Sequence, residues 1–285
     1  FDTTRFFWNN GDGTFDQKTY ESNLGLEENG MGLAVGFIGP EQKLSMFVTS
    51  IRANPGCDDE GESLRSGNRL YVYDKDRKFA DITDAAGVRN SLWGWGATYL
   101  DSTNAGKRDI ASASGMVISW NAGQYCYADN PFKFWTSDNS GVFTEVASTV
   151  GMKETKPTKG VLAFDADRDG KTDLFVTRDA ETPLFFHNVT PNVGAWLDVK
   201  VTGTKSDIDA NGAIVTVRAV AEGPIQKAFV GTTGSFLTAD SRLVHFGLGQ
   251  LHERIAEVTV DFPATKKKVV LNDVDANQIL QVVEP

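Results

Sequence analysis

Cysteine, histidine and long apolar runs are scarce in this 285-residue chain, and each scarcity excludes a class of protein. Its two cysteines, Cys57 and Cys126, form at most one disulfide and no Cys-x-x-Cys pair, which excludes a disulfide-rich scaffold and leaves a zinc or thioredoxin-type role without support. Of the three histidines, His245 lies within an alternating strand pattern that favours a structural hydrogen-bonding role over that of a base. No apolar run approaches the ~20 residues of a membrane-spanning helix.

Basic residues are also few compared with acidic ones. The 28 Lys and Arg against 38 Asp and Glu give a net charge of −10, of which −8 falls in residues 1–190 and −2 in residues 191–285. Such a balance argues against a nucleic-acid backbone or an anionic membrane as the main partner, and it favours cations.

Familiar catalytic motifs are missing. The sequence has no Gly-x-Ser-x-Gly elbow, phosphate-binding loop or His-Glu-x-x-His helix, so it predicts a protein that is not an enzyme. The chain also begins at Phe1 without a methionine or a leader peptide, and we expect this start to be a processing site or a cut in a longer chain.

A repeat of 64 residues runs through the first two thirds of the chain. Three sets of landmarks have this spacing: Gly32, Gly96 and Gly160; Phe15, Phe79 and Phe143; Phe7, Tyr71 and Trp135. Each unit offers four short apolar or aromatic segments separated by Gly, Asp and Asn clusters, which predicts four strands and no helix. Four strands per repeat is typical of a β-propeller blade, and the alternative is a sandwich whose strands recur.

Three such units are fewer than the 4–8 blades of a closed propeller. We therefore expect a partial propeller over residues 1–190, its remaining blades belonging to a longer chain or to another subunit. Residues 191–285 lose the repeat and show six alternating strands, which predicts a second domain, a small β-sandwich or barrel, after the joint Thr190-Pro191-Asn192. The predicted fold class is all-β.

The third repeat contains a candidate calcium loop. Its carboxylates stand at positions 1, 3, 5 and 9, as Asp165, Asp167, Asp169 and Asp173. Gly170 at position 6 allows a sharp turn, and the Lys171 carbonyl at position 7 is a candidate backbone ligand, as at the start of an EF-hand loop. Hard oxygen ligands in this number predict Ca²⁺, although a solvated Asp-rich hairpin is the alternative.

The corresponding loops of the other repeats have lost carboxylates. Repeat two keeps Asp101, Asp109 and Gly106 but has Thr103 and Ala105 at the intermediate positions, while repeat one has lost the set. We therefore expect one filled calcium site, which stabilises a blade and takes no part in catalysis, and an empty or weak site in repeat two.

The two cysteines lie in equivalent long connections of neighbouring repeats. Loops on one face of adjacent blades can meet, so the sequence predicts a disulfide between Cys57 and Cys126, worth about 3–4 kcal/mol by loop entropy. The alternative is two unpaired small apolar side chains. Asn188-Val-Thr190 is a weak N-glycosylation triplet, because Pro191 follows it.

Several aromatic residues accompany the acidic loops: Trp93, Trp95, Trp120, Tyr125 and Tyr127. Stacking on sugars is their functional interpretation, and packing in the blade core is the structural one.

Two resemblances cover nearly the whole chain. The turn Asn9-Asn-Gly-Asp-Gly-Thr-Phe15 and the loop 165–173 resemble the FG-GAP/VCBS propeller repeat. Residues 211–217, 231–236, 245–249, 258–263 and 277–280 resemble an ASPIC/UnbV domain, although Asp261-Phe-Pro-Ala replaces the family's usual Trp-Pro-Ser-Gly. The combination is similar to the cartilage acidic protein family and its bacterial relatives.

This resemblance implies a secreted, cell-surface or periplasmic calcium-binding protein. Adhesion or surface assembly is its expected function, with a cell-surface protein, a glycan or other copies of the chain as partner. A carbohydrate-binding lectin is the first alternative. A carbohydrate lyase or dehydratase built on a propeller is the second, and it needs an acid–base pair in a pocket.

Overall fold

The computed structural model describes residues 4–27, 29–54, 66–117, 126–231, 236–250 and 253–285. The protein is all-β: the described part contains twenty strands and one four-residue helix, α1 (Thr83–Ala86). Gly87 ends this helix in a left-handed conformation (φ +76°). No described helix has the length or apolarity needed to span a membrane.

The first strands form a hairpin and a four-stranded sheet. β1 (Phe7–Asn9) pairs only with β2 (Phe15–Gln17) among the described residues. The first sheet then runs in sequence order through β3 (Leu33–Ile38), β4 (Lys43–Val48), β5 (Arg69–Tyr73) and β6 (Phe79–Asp81), and all its neighbours are antiparallel.

Two more sheets follow the same order. The second contains β7 (Gly94–Leu100), β8 (Asp109–Ser114), β9 (Lys133–Ser137) and β10 (Phe143–Glu145). The third has three described strands, β11 (Thr158–Phe164), β12 (Asp173–Arg178) and β13 (Leu184–Phe186). The short connection between β12 and β13 replaces the long connections found in the first two sheets.

The 64-residue spacing is present in the pairing registers. Phe7 lies opposite Gln17, Tyr71 opposite Asp81, and Trp135 opposite Glu145. The phase of the repeat differs from the one the sequence predicts, because β5 and β9 are the third strands of their sheets and not the first, while the equivalent strand β1 forms a two-stranded hairpin with β2. Each sequence unit therefore combines the outer hairpin of one sheet with the inner hairpin of the next.

Consecutive sheets pack face to face through apolar side chains. Phe47 of the first sheet meets Trp135 of the second edge-on, at 6.0 Å between ring centroids, in a buried cluster. Ala111 and Val161 belong to a second buried cluster, which joins the second and third sheets. The hairpin of β1 and β2 packs on the first sheet through the residue before β1, as Phe6 contacts Phe79 at 5.8 Å.

The C-terminal domain is a sandwich of two sheets. One has the order β17 (Val244–Gly249), β14 (Ala195–Thr202) and β20 (Gln278–Val283), with β14 and β20 parallel. The other has the order β16 (Ile225–Phe229), β15 (Ile214–Arg218), β18 (Arg254–Phe262) and β19 (Lys267–Asp275). Buried side chains from both sheets form one core between them.

The domain has seven described strands where the sequence predicts six. The additional one is β19, whose start at Lys267 and Lys268 resembles a charged turn in the sequence. It lies at the edge of its sheet, where lysines are tolerated and discourage pairing with another chain.

The C-terminal domain packs against the preceding sheets at the end where their first two strands turn. Phe229 of β16 stacks on Phe37 of β3 at 4.8 Å between ring centroids. The Lys227 backbone N–H donates to the Gln42 side chain (2.8 Å), and the Thr238 hydroxyl donates to the Val161 carbonyl (2.9 Å). The loops singled out by the sequence analysis therefore face the second domain.

Candidate metal centre

Three carboxylates of the third loop (residues 165–173) converge. Asp165, Asp167 and Asp173 each offer an oxygen atom, and these atoms lie within 4.8 Å of one another. Two oxygens bound on opposite sides of one Ca²⁺ at ~2.4 Å are separated by about this distance. In the part of the chain that the structure describes, no other group of three or more acidic, histidine or cysteine side chains is this close.

The loop forms because its first carboxylate closes the turn. Asp165 accepts hydrogen bonds from the backbone N–H groups of Arg168 (2.7 Å) and Gly170 (2.8 Å). Gly170 has φ +82°, and a Cβ at this position would collide with the indole ring of Trp196. A glycine is therefore required here both by the backbone conformation and by the contact with the C-terminal domain.

Asp173 anchors the other end of the site from a buried position. It is 1% exposed, and its Oδ1 accepts hydrogen bonds from the Asn188 backbone N–H (2.7 Å) while its Oδ2 accepts from the Ala166 N–H (3.1 Å). His187 Nδ1 lies 3.2 Å from Asp173 Oδ1, and its Nε2 lies 3.9 Å from Asp167 Oδ2. The imidazole ring of His187 therefore lies beside the carboxylates of Asp173 and Asp167.

Sequence reasoning missed His187 because it follows Asp173 by fourteen residues and lies outside the loop motif. The pairing of β13 with β12 brings it back to the site, since Phe186 lies opposite Leu174. The only sequence signal for it was its place directly after the apolar segment Leu184–Phe186.

Asp169 is not part of the converging group. Its Oδ2 pairs with Lys171 Nζ at 2.6 Å, and its Oδ1 accepts from the Lys171 backbone N–H. Burial alone would raise the pKa of Asp169, but the hydrogen bonds and charge of Lys171 outweigh it and leave this pKa below its usual value. The role of Asp169 and of the Lys171 carbonyl as ligands stays a prediction.

Asp165 has the opposite electrostatic environment. Burial raises its pKa, the N–H groups of the loop partly offset that effect, and Asp198 of the C-terminal domain raises the pKa further by its negative charge. A cation among the carboxylates would relieve this repulsion.

The second loop (residues 101–109) forms the same hydrogen-bonded turn as the third loop, but different residues donate to its carboxylates. Asp101 accepts from the N–H groups of Ala105 (3.0 Å) and Gly106 (2.7 Å), as Asp165 does one repeat later. Asp109 accepts from Ser102 and from the Ser137 N–H (2.9 Å). Both carboxylates are buried, at 2% and 1% exposure, and burial raises the pKa of Asp109 despite these hydrogen bonds.

Asn104 of the second loop connects three parts of the molecule. Its Nδ2 donates to the Gly170 carbonyl of the third loop (2.8 Å) and to the Gly194 carbonyl (3.2 Å). Its Oδ1 lies 2.8 Å from His245 Nε2, while His245 Nδ1 lies 2.8 Å from Asp198 Oδ1. His245 has the structural role that its sequence pattern predicts, as a bridge between the domains.

The side-chain amide nitrogen of Asn188 forms hydrogen bonds between the second and third loops. It donates to the backbone carbonyls of Ser102 (2.9 Å) and Thr172 (3.2 Å). A glycan would attach to this nitrogen, so glycosylation, which stays a prediction, would have to disrupt these bonds.

One member of the predicted disulfide, Cys57, lies outside the described residues. Cys126 is part of a small cluster with Trp93 and Tyr127, and its carbonyl accepts a hydrogen bond from the Asn54 side chain (2.7 Å). This bond holds the chain three residues before Cys57 against Cys126.

Of the aromatic residues near the acidic loops that the structure describes, two are buried and Trp95 is partly buried against them. Trp93 and Tyr127 are 4% and 2% exposed, and the Lys159 ammonium lies over Trp95, 4.2 Å from the ring centroid. Trp120 and Tyr125 lie outside the described residues. The described aromatic rings therefore support the packing interpretation over stacking on sugars.

Comparison with known families identifies the C-terminal domain. Residues 203–285 match the family described as ASPIC and UnbV. This match confirms the resemblance inferred from the sequence for that part of the chain. The strand β14 (Ala195–Thr202) precedes the matched segment and completes its three-stranded sheet. No curated protein matches the chain.

Proposed function

We propose that this protein is a non-enzymatic, extracellular interaction or surface-assembly protein whose third loop binds Ca²⁺. The convergence of Asp165, Asp167 and Asp173 within 4.8 Å is the observation that carries the proposal. Hard carboxylate oxygens suit Ca²⁺, and acidic residues outnumber basic ones in the chain.

The position of the loop suggests what the ion would do. The loop lies between the third sheet and the C-terminal domain, with Trp196 against Gly170 and Asn104 bonded to the Gly170 carbonyl. A cation that fixes the loop would therefore strengthen the attachment of the ASPIC/UnbV domain. This is a stabilising role, and it requires no acid–base partner.

We interpret the three consecutive sheets as blades of an FG-GAP/VCBS-type propeller. Their equivalent strands recur every 64 residues, and neighbouring sheets pack face to face, as blades do. Such a scaffold presents loops for binding a surface protein, a glycan or another copy of the chain.

Isothermal titration of the calcium-free protein with CaCl₂ tests the metal site. We expect saturable binding that Asp167→Asn weakens strongly, since this change removes a charged ligand at a 52% exposed side chain with little effect on packing. Asp16→Asn, an exposed carboxylate on β2, is the matched control. Equal calcium binding by the parent and Asp167→Asn would refute the site.

The extracellular location and the disulfide between Cys57 and Cys126 form a joint proposal, because disulfides persist in oxidising compartments. Thiol titration of unfolded, unreduced protein should find no free thiol. Two free thiols would remove the support that the disulfide gives to secretion without affecting the calcium site.

Self-association is tested separately by light scattering in calcium and in a chelator. A calcium-dependent increase in mass would favour assembly with other copies. A monomer under both conditions would direct the search to cell-surface proteins and glycans as partners.

A further inference from the structure

A cavity of about 170 Å³ lies where the third loop, the inner strands β3, β7 and β11, and the C-terminal domain meet. For comparison, an apolar cavity of ~150 Å³ holds benzene. The space therefore fits one six-membered ring with a small substituent.

The acidic groups on the cavity wall already have hydrogen-bond donors. Asp101 accepts two backbone N–H groups, Asp198 faces His245, and Asp240 accepts from the Thr98 hydroxyl (2.8 Å). Asp165 accepts the N–H groups of its own loop. These carboxylates do not require a ligand to satisfy them.

The two long basic side chains on the wall are in the opposite situation. Arg108 donates one long hydrogen bond, to the His245 carbonyl at 3.4 Å, and forms no ion pair within 4.0 Å in the described part of the chain. Burial lowers the pKa of Arg108, and the charges of Asp101, Asp109 and Asp240 offset this only in part. A guanidinium has five N–H donors, so most of its capacity is unused.

The Lys227 side chain also has unused hydrogen-bond donors. Its backbone N–H is bonded to Gln42, but within the described ranges its ammonium has neither a hydrogen bond nor an ion pair. Lys227 and Phe229 are two residues apart on β16, so they lie on one face of the strand, the face that meets β3.

An apolar wall completes the cavity. The stacked rings of Phe37 and Phe229 line it together with Tyr99, whose hydroxyl is bonded to Ser45 (3.1 Å). Aromatic rings beside two underused cations are the pattern of a site that orients a flat or ring-shaped anion.

We propose that this cavity binds a small carboxylate that carries a single ring, with the carboxylate at Arg108 and Lys227 and the ring against Phe37 and Phe229. The ring is either an aromatic ring or a sugar ring, as in a uronate. Neither basic residue belongs to the metal loop, but Asp165 belongs both to the cavity wall and to the proposed metal group, so the titrations are made in a chelator.

Calorimetric titration with sodium benzoate and sodium glucuronate tests the proposal and distinguishes the two ring types. Benzyl alcohol and glucose are the neutral analogues, and acetate is the carboxylate without a ring. We expect one of the two ring-bearing carboxylates to bind with a Kd of about 1 mM or lower, and the neutral analogue and acetate to bind at least about tenfold more weakly.

Lys227→Met keeps the length of the side chain and removes its charge, and it should weaken binding by about tenfold or more. Lys200→Met, an exposed lysine on β14 of the same domain, should leave binding unchanged. Arg108→Lys is a second variant, to be compared at matched melting temperature because Arg108 also packs over Phe246. No saturable binding of either carboxylate, equal binding of its neutral analogue, or full affinity in Lys227→Met would each overturn the proposal.

Discussion

The second loop (residues 101–109) and the third loop (residues 165–173) share their backbone hydrogen bonds but differ in the side chains between the two terminal aspartates. In both, the first aspartate accepts N–H groups of the turn, and the last aspartate accepts the N–H that follows the first. The intermediate positions differ: Thr103 and Ala105 stand where the third loop has Asp167 and Asp169. The second loop therefore cannot gather three carboxylates.

The second loop satisfies its buried groups through protein contacts. Asn104 reaches the third loop and His245, and Arg108 places a cation near Asp101, Asp109 and Asp240. The same turn therefore carries three converging carboxylates in the third loop and contacts between the domains in the second, depending on the side chains at its intermediate positions.

The largest effect in this comparison should come from Asn104→Ala. It leaves the Gly170 and Gly194 carbonyls and His245 Nε2 without a partner at a 1% exposed position, and we expect a loss of about 2–4 kcal/mol in unfolding free energy. Urea denaturation in the presence of a chelator measures it without a contribution from metal.

Asn139→Ala is the control for Asn104→Ala. Asn139 also has a positive φ, +70° against +54° for Asn104, and it lies in the turn between β9 and β10. Equal losses in the two variants would mean that backbone conformation, and not the bridge between domains, accounts for the effect.

The third loop should respond to calcium, and the second should not. At a calcium concentration of 100 times the Kd, binding stabilises the folded state by about 2.7 kcal/mol, and Asp167→Asn should remove most of this gain. Melting curves with calcium and with chelator give the difference. A calcium-dependent shift that survives Asp167→Asn would place the ion elsewhere.

Asp109 of the second loop and Asp169 of the third should respond to acid in opposite ways. Since the pKa of Asp109 is raised in the folded state above its ordinary value of 3.8, its stabilising contribution is present below that pH and is lost as the pH rises through the folded value. Since the pKa of Asp169 is lowered, its contribution is present above pH 3.8 and is lost as the pH falls.

Urea midpoints measured in chelator across the acidic range should therefore change in opposite directions for Asp109→Asn and Asp169→Asn, relative to the parent. Removing Asp109 should reduce the fall in stability with rising pH, and removing Asp169 should reduce the rise. Identical pH profiles for the two variants would contradict the contrast in their surroundings.

The smallest effect should come from Thr103→Asp, which gives the second loop a third carboxylate. We expect no calcium binding and a change in stability within about 0.5 kcal/mol, because Asp101 and Asp109 remain buried and bonded to N–H groups. Calorimetric titration with calcium decides the matter. A calcium site in this variant would show that carboxylate number alone separates the loops.

Much of the architecture can be predicted from the sequence, because it depends on local patterns. The 64-residue spacing identified equivalent strands, and Asp165, Asp167 and Asp173 were found from a nine-residue motif. The phase of the sheets was not predictable in this way, since the pairing of β4 with β5 joins segments separated by a long connection. His187 was missed because strand pairing, and not sequence proximity, brings it to Asp173.

The two basic residues of the cavity could not be predicted as a pair from the sequence either. Arg108 and Lys227 are 119 positions apart, and nothing in their neighbourhoods marks them as a pair. The packing of the C-terminal domain on β3 and on the second loop places both on one cavity wall.

The parallel pairing of β14 with β20 has a mechanical consequence. The start of β14 is joined to the third sheet, and β20 is the last strand of the chain. A force that pulls the start of β14 away from the end of β20 therefore acts along both strands, in opposite directions. Their hydrogen bonds then carry the load together and do not open one after another. Tension applied between the start of β14 and the end of β20 would therefore meet resistance to shear.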